Sequence, residues 1–230
     1  NLNHLSSHFL LIPIAIFAVL KGEKLLPEEE RKLLNWFYIA HMRGHYSLGS
    51  SETTMDMDIS ALFKSQNLDL LFDQLRQHVK KIDVDSEDLI NKNRRSPFFT
   101  MMYFVLRQNG AKDWWSSLKL SDKHIGRSHR IQFHHIFPKS ILRDANYDRR
   151  EINDLANLAF IGGKTNRSIL NKKPIKYFIE DIIDKRGEEP LKSQLIPMDR
   201  KLWEIDNYKE FLIQRRTAIA NEINNFIKNL

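Results

Sequence analysis

The sequence predicts a mainly α protein of the α+β class, in which a helical body encloses one small finger of two strands and a helix. Three observations predict it. Apolar residues recur at helical spacing along most of the chain, as in Leu68, Leu71, Phe72, Leu75 and Val79. Glycine and proline stand where these stretches begin and end. Strand-like patterning is confined to two short stretches, Ile131 to His134 and Asn157 to Ile161.

Taken in order, residues 1–21 read as a core helix that Pro13 starts or kinks and Gly22 ends. Its apolar run from Phe9 to Leu20 falls short of the ~20 residues that span a bilayer. With no basic leader before it and no small-residue cleavage site after it, a buried helix is expected rather than a signal peptide. Pro27 with Glu28, Glu29 and Glu30 opens the next helix, because proline tolerates the first turn and carboxylates favour the positive end of the helix dipole. Leu33, Leu34, Phe37, Tyr38 and His41 form its apolar stripe, and Gly44 ends it. Tyr46 to Asp58, rich in Ser, Thr and Asp, reads as a loop leading to a helix at about Ile59. Further helices are expected over 67–81, at Ser86 to Leu89, and over 98–108, the last apolar nearly all round and therefore central. Lys112 to Arg130 connects to the finger, and its Trp114-Trp115 pair reads as packing rather than as a base-stacking platform.

In the finger, Ile131 and Phe133 alternate with Gln132 and His134, and Pro138 stops the strand because it has no N–H for a ladder. Successive side chains of a regular strand point to opposite faces, so His134 and His135 serve one site only if the strand bends or bulges between them. Lys139 to Ala145 reads as a short helix and Asn146 to Asp154 as a polar loop, with Arg143, Arg149 and Arg150 making the insertion basic. The second strand closes at Gly162-Gly163, after which Thr165 caps a helix carrying Asn166, Ile169 and Leu170. Ile175 to Ile183 then form a helix ended by Gly187, Pro190 and Pro197 bracket a connector, and Tyr208 to Leu230 is a long terminal helix. The expected organisation is a helical domain over 1–110, the finger with its flanking helix over 111–186, and a helical segment over 187–230 that packs on the body.

Composition bounds the rest. With 230 residues, 42% of them hydrophobic, the chain can bury one large core or two small ones and is not disordered. A net charge of +7 and an isoelectric point near 9.5 favour a polyanionic partner, although a lysine-rich solvated surface has the same balance. The absence of cysteine excludes disulfides and zinc–thiolate sites. The chain begins at Asn1 rather than Met, as a piece of a longer protein would.

The chemistry-bearing residues lie in His134-His135-Ile136-Phe137-Pro138-Lys139-Ser140 and in Asn157-Leu158 through Asn166-Arg167-Ser168. Hydrolysis needs an imidazole to take a proton from water, a group to orient it, and side chains to hold a divalent cation. Singly, these residues have plain readings: a surface histidine pair, a turn asparagine, a helix cap. Other histidines, His4, His8, His41, His45 and His78, read as structural, while His124 and His129 lie nearer the finger.

In this order, with Gly-Gly between the second strand and the helix, the residues resemble the HNH (ββα-metal, His-Me finger) endonuclease motif. The surrounding wording is similar to the C-terminal nuclease half of GmrSD-like, modification-dependent restriction proteins. The resemblance extends to Arg43-Gly44-His45-Tyr46-Ser47 with Ser50-Ser51-Glu52-Thr53, and to Phe211-Leu212 with Arg215-Arg216. It implies His135 as general base, Asn157 as the residue that orients it, and His134 and Asn166 as metal ligands. Arg167, Lys172 and Lys173, with Lys139, Lys164 and Arg130, are the candidate contacts to nucleic-acid phosphates. The cofactor is a divalent cation. Many family members carry a carboxylate where this chain has His134, and imidazole suits Mn²⁺, Ni²⁺ or Zn²⁺ better than Mg²⁺, so Mn²⁺ ranks level with Mg²⁺.

The implied function is hydrolysis of DNA phosphodiester bonds, by nicking, in the effector part of a bacterial restriction or anti-phage protein of the cytoplasm. Binding would be dominated by the phosphate backbone, without a membrane, and with pairing of two copies open. The resemblance also implies a separate N-terminal nucleotide-hydrolysing or sensing domain, for which this chain offers no candidate: no Gly-rich phosphate loop precedes the finger. The competing class is a non-cleaving nucleic-acid-binding module with a degenerate finger. A structural zinc site would want four Cys or His ligands close together, more than this chain offers.

Overall fold

A computed structural model of the chain describes residues 5–22, 24–65, 67–120, 131–169 and 172–230. These form two compact units: Asn1–Val84 with Ser96–Met101 and Asn224–Leu230, and Asp85–Arg95 with Met102–Ile223. Among the described residues no helix is long and apolar enough to cross a membrane.

The first unit holds four helices, α1 (Leu11–Lys21), α2 (Pro27–Arg43), α3 (Ser51–Ser65) and α4 (Asp69–Val79). α1 starts at Leu11, so Pro13 falls in its first turn, where no intrahelical N–H bond is lost. Helix α2 begins on Pro27, the Glu29 carboxylate accepts the Leu26 N–H at 3.0 Å, and Gly44 ends the helix at φ 66°. Its buried residues are Leu33, Trp36, Ile39, Ala40, His41 and Met42; Leu33 and His41 belong to the expected stripe, whereas Leu34 is 46% exposed and Trp36 and Ile39 fill the face in its place. Helix α3 starts well before Ile59: the Ser50 hydroxyl accepts from Thr53 N–H at 3.3 Å and turns a Ser-rich stretch into a helix cap.

The Arg43 to Ser47 segment has a structural use here. His45 Nε2 lies 2.7 Å from the buried Asp58 carboxylate, and the Tyr46 hydroxyl donates to the same oxygen at 2.6 Å. His78 of α4 meets His45 at 3.0 Å, so one cluster ties the turn after α2 to α3 and α4.

His41 is fully buried, its Nδ1 accepts from Ser6 N–H at 3.0 Å, and burial pushes its pKa down to about 4. In the unfolded chain the ring takes its proton near pH 6.5. Between the two values the unfolded state binds more protons, so stability is complete above pH 6.5 and falls as pH drops towards 4. The loss reaches about 3 kcal/mol at most. Thermal melts from pH 7 to pH 4 should show this slope, to which the likewise depressed His134 and His135 add, and His41→Gln should reduce it by the His41 share.

The second unit carries β1 (Ile131–His135) and β2 (Leu158–Gly162), with α5 (Pro97–Gln108) shared between the units and α6 (Lys139–Asp144) and α7 (Arg149–Ile152) in the insertion between the strands. α8 (Gly163–Ile169) follows β2, then α9 (Pro174–Tyr177), a π turn (Phe178–Ile183), α10 (Asp184–Arg186), α11 (Glu189–Lys192) and α12 (Tyr208–Lys228), whose residues from Asn224 belong to the first unit. The expected polar loop at 146–154 therefore contains a helical turn. Asp148 accepts from Arg150 and Glu151 N–H at 2.7 and 2.8 Å while Glu151 reaches back to Asp148 N–H at 3.0 Å, a capping box. Helix α8 starts at Gly163, so Thr165 lies inside it, and its hydroxyl donates to Asp113 at 2.7 Å instead of capping.

A two-stranded ribbon this short needs support. Gln194 supplies what a third strand would, accepting from Phe160 N–H at 2.9 Å and donating to Phe160 C=O at 2.7 Å. Asp113 accepts Gly162 N–H at 2.5 Å and so fixes the passage from β2 into α8. The fully buried Arg215 of α12 donates to the carbonyls of Ala156 and Leu158, at 2.7 and 2.8 Å, and of Gln194 at 3.1 Å.

Candidate active site

The strands pair antiparallel without interruption, from Ile131 opposite Gly162 to His135 opposite Leu158. The expected bend or bulge between the two histidines is not there, because Ile136 N–H continues the ladder to Asn157 C=O at 2.9 Å. His134 and His135 consequently leave the strand on opposite faces.

His134 goes to the α8 side. It is 5% exposed, edge-on to the rings of Trp114 and Tyr177, and its Nδ1 lies 2.9 Å from Asn166 Oδ1. Asn166 stands in the first turn of α8 and donates its Nδ2 to Gln132 Oε1 at 2.8 Å. That bond turns Asn166 Oδ1 towards the imidazole. Burial pushes the His134 pKa down to about 4, leaving a neutral ring at physiological pH.

The pair fits a divalent cation. At metal–donor distances of about 2.1 Å, adjacent donors of an octahedron are about 3.0 Å apart, and the His134–Asn166 separation is 2.9 Å. Among the described residues no group of three or more His, Cys, Asp or Glu side chains could hold a metal, so water and substrate oxygens would complete the shell. Against the fit stands His134 Nε2, which is buried and finds no partner among the described residues. Ligation through Nδ1 places the proton there, at a cost of about 1–3 kcal/mol.

His135 goes to the other face, where its Nε2 lies 3.3 Å from Asn153 Oδ1. Asn153 gives its amide hydrogen to Arg149 C=O at 2.8 Å, which settles that its oxygen faces the histidine. The ring thus carries its proton on Nε2 and keeps the Nδ1 lone pair. Burial first, then the positive charges of Lys139 and Arg94, hold its pKa down at about 4 despite the Asn153 bond.

The orienting contact expected from Asn157 comes from Asn153 in this structure. Asn157 is fully buried, accepts from Phe137 N–H at 2.8 Å, and donates to Phe137 C=O at 3.2 Å and Ile152 C=O at 3.0 Å. It closes the insertion, tying the chain that leaves β1 to the chain that enters β2. Asp154 beside it caps Ala156 N–H at 2.9 Å and pairs with Arg216 at 2.6 Å.

His135 faces a hollow of about 1080 Å³. Among the described residues six cations line it, Arg94, Arg95, Lys139, Arg143, Arg149 and Arg150, and no acidic side chain does. Of the cations expected at substrate, Lys139 alone is in this wall; Lys164 lines a separate, smaller cavity with Asp113 and Arg186. Lys172 is paired with Asp181 at 2.6 Å, Arg167 and Lys173 are exposed, and Arg130, like His124 and His129, lies outside the described residues. Sequence reasoning missed Asn153, Gln132, Arg94 and Arg95. The Asp148-x-x-Glu151 box is the signal that could have placed Asn153 at the end of a helical turn, whereas nothing local marks the other three.

Compared with known proteins, the chain matches one family model, that of GmrSD restriction endonucleases, C-terminal domain, over residues 79–221. No curated protein and no solved structure matches it.

Proposed function

Since the chain belongs to the family of GmrSD restriction endonuclease C-terminal domains, we propose that it is the DNA-cutting part of such an enzyme, an HNH-type nuclease that uses a divalent cation and nicks one strand at a time. The observation that supports this reading most is His135, a neutral imidazole facing a cation-lined hollow.

In this reading His135 Nδ1 takes a proton from the water that attacks phosphorus. The water oxygen forms the new P–O bond, the bond to the 3′ oxygen breaks opposite it, and that oxygen leaves with a proton from solvent. Asn153 holds the ring and stabilises the imidazolium as it forms. Asn157 and Arg215 keep the two strand ends in register, so that His135 stays over the hollow. When bound by His134 and Asn166, Mg²⁺ or Mn²⁺, with Ni²⁺ and Zn²⁺ as further candidates, would offset charge on the phosphate and the leaving oxygen. A separate nucleotide-hydrolysing or sensing domain would direct the cut in the bacterial cytoplasm, and pairing of two copies would turn nicks into double-strand breaks.

A second reading, a nucleic-acid-binding module that does not cut, is favoured by the uninterrupted register that parts His134 from His135. Supercoiled plasmid separates the two. Nicked product with Mg²⁺ or Mn²⁺, and none in EDTA, supports the nuclease; retardation of DNA without cleavage under every cation supports the binding module.

A further inference from the structure

The hollow beside His135 concentrates positive charge, and it is built from two stretches far apart in sequence. Arg94 and Arg95 come from the segment before α5, and Lys139, Arg143, Arg149 and Arg150 from the insertion between β1 and β2. Both stretches are anchored. Lys92 C=O accepts Leu155 N–H at 2.7 Å, and the Asp154 carboxylate takes the Asn91 backbone N–H. The capping box holds Arg149 and Arg150 in a defined turn, and Tyr208 donates to Glu151 C=O at 2.8 Å.

Among the described residues none of the six cations has a carboxylate partner, in contrast to Lys172 and Lys185, which are neutralised by Asp181. A solvated lysine-rich face would be mobile and interspersed with acids; this wall is mostly arginine, on fixed backbone, with no acid among its described residues. The guanidinium fork matches phosphate oxygens in pairs. Asn91 and Asn93 add neutral donors and acceptors.

We propose that this hollow grips consecutive phosphodiester groups of the strand being cut, with Arg94 and Arg95 on one side of the scissile phosphate and Arg149 and Arg150 on the other. The proposal rests on the reading of His135 as facing that phosphate. It places the flanking phosphates on the insertion and the 91–95 segment rather than on Arg167 and Lys173.

The test is binding of fluorescently labelled duplex and single-stranded DNA, in EDTA so that nothing is cut, for wild type, Arg94→Ala/Arg95→Ala, Arg149→Ala/Arg150→Ala and Arg167→Ala/Lys173→Ala. Each hollow pair should weaken binding by roughly 10-fold or more at 0.15 M salt and lower the slope of log Kd against log salt by about 2 on duplex DNA. The α8 pair should stay within about 2-fold of wild type. Hollow variants that bind as wild type does, with an unchanged slope, would overturn the grip even if the wild type cuts. A wild type that fails to cut while the hollow variants lose affinity would overturn the nuclease reading and leave the grip standing.

Discussion

Replacing His135 by alanine should slow phosphodiester cleavage by roughly 10²–10⁴-fold, the usual contribution of a positioned general base, while DNA affinity stays within a few-fold of wild type. Both halves of the expectation come from position. His135 is the imidazole on the hollow side of β1, and its Nδ1 is left bare by the Asn153 contact, so its loss removes the group that takes the proton. Affinity is expected to come from the surrounding arginines, which the substitution does not touch. The ring must be neutral to act, and its pKa is held at about 4, so the base should stay competent through the ordinary histidine range and fail only as pH approaches 4. Single-turnover rates from pH 8 to pH 4 measure this, and a rate that halves near pH 6.5 would contradict it.

Replacing Arg215 by alanine should destabilise the second unit by roughly 3–5 kcal/mol, lowering its melting temperature by on the order of 10–20 °C. Arg215 is fully buried and spends its guanidinium on three backbone carbonyls, two of them flanking Asn157. Burial lowers its pKa to about 9, still charged at neutral pH, with the charge held by peptide dipoles and the nearby Asp154. Alanine would leave those carbonyls without donors in a void that water must enter. Arg215→Lys should recover only part of the loss, because a single ammonium lacks the planar fork that reaches both sides of Asn157 at once. Calorimetry of the three proteins measures the order, and an Arg215→Ala protein that melts with the wild type would show that β2 holds without the clamp.

What the sequence makes legible divides along the range of the interactions. The ends of α2 can be read from Pro27 and Gly44 because a proline in the first turn and a left-handed glycine act on their own backbone. The two strands can be read from alternation and the Pro138 stop, and the pairing follows since only two segments are available. The start of α3 and the turn α7 are less visible, although each has a local cause, because Ser-rich and charged stretches look alike whether they cap a helix or form a loop. The site was half legible. The two histidines and Asn166 stand out by order and spacing, and the structure brings His134 to Asn166. The facing of the histidines, the Asn153 contact and the Arg94 and Arg95 wall are tertiary facts, set by how the insertion folds back on the 91–95 segment. No periodicity encodes them. Arg215 is legible as a residue that goes with the motif, but its use, as a donor to the carbonyls around Asn157, requires the packing of α12.

Cleavage in this reading depends on a cation held by His134 and Asn166, and a Mn²⁺ titration of plasmid nicking, run beside calorimetric Mn²⁺ binding for the wild type and Asn166→Ala, measures that dependence. The wild-type rate should saturate at the calorimetric dissociation constant, and Asn166→Ala should raise both by at least about 10-fold. Nicking by the wild type in EDTA, or an Asn166→Ala protein with an unchanged midpoint, would contradict it.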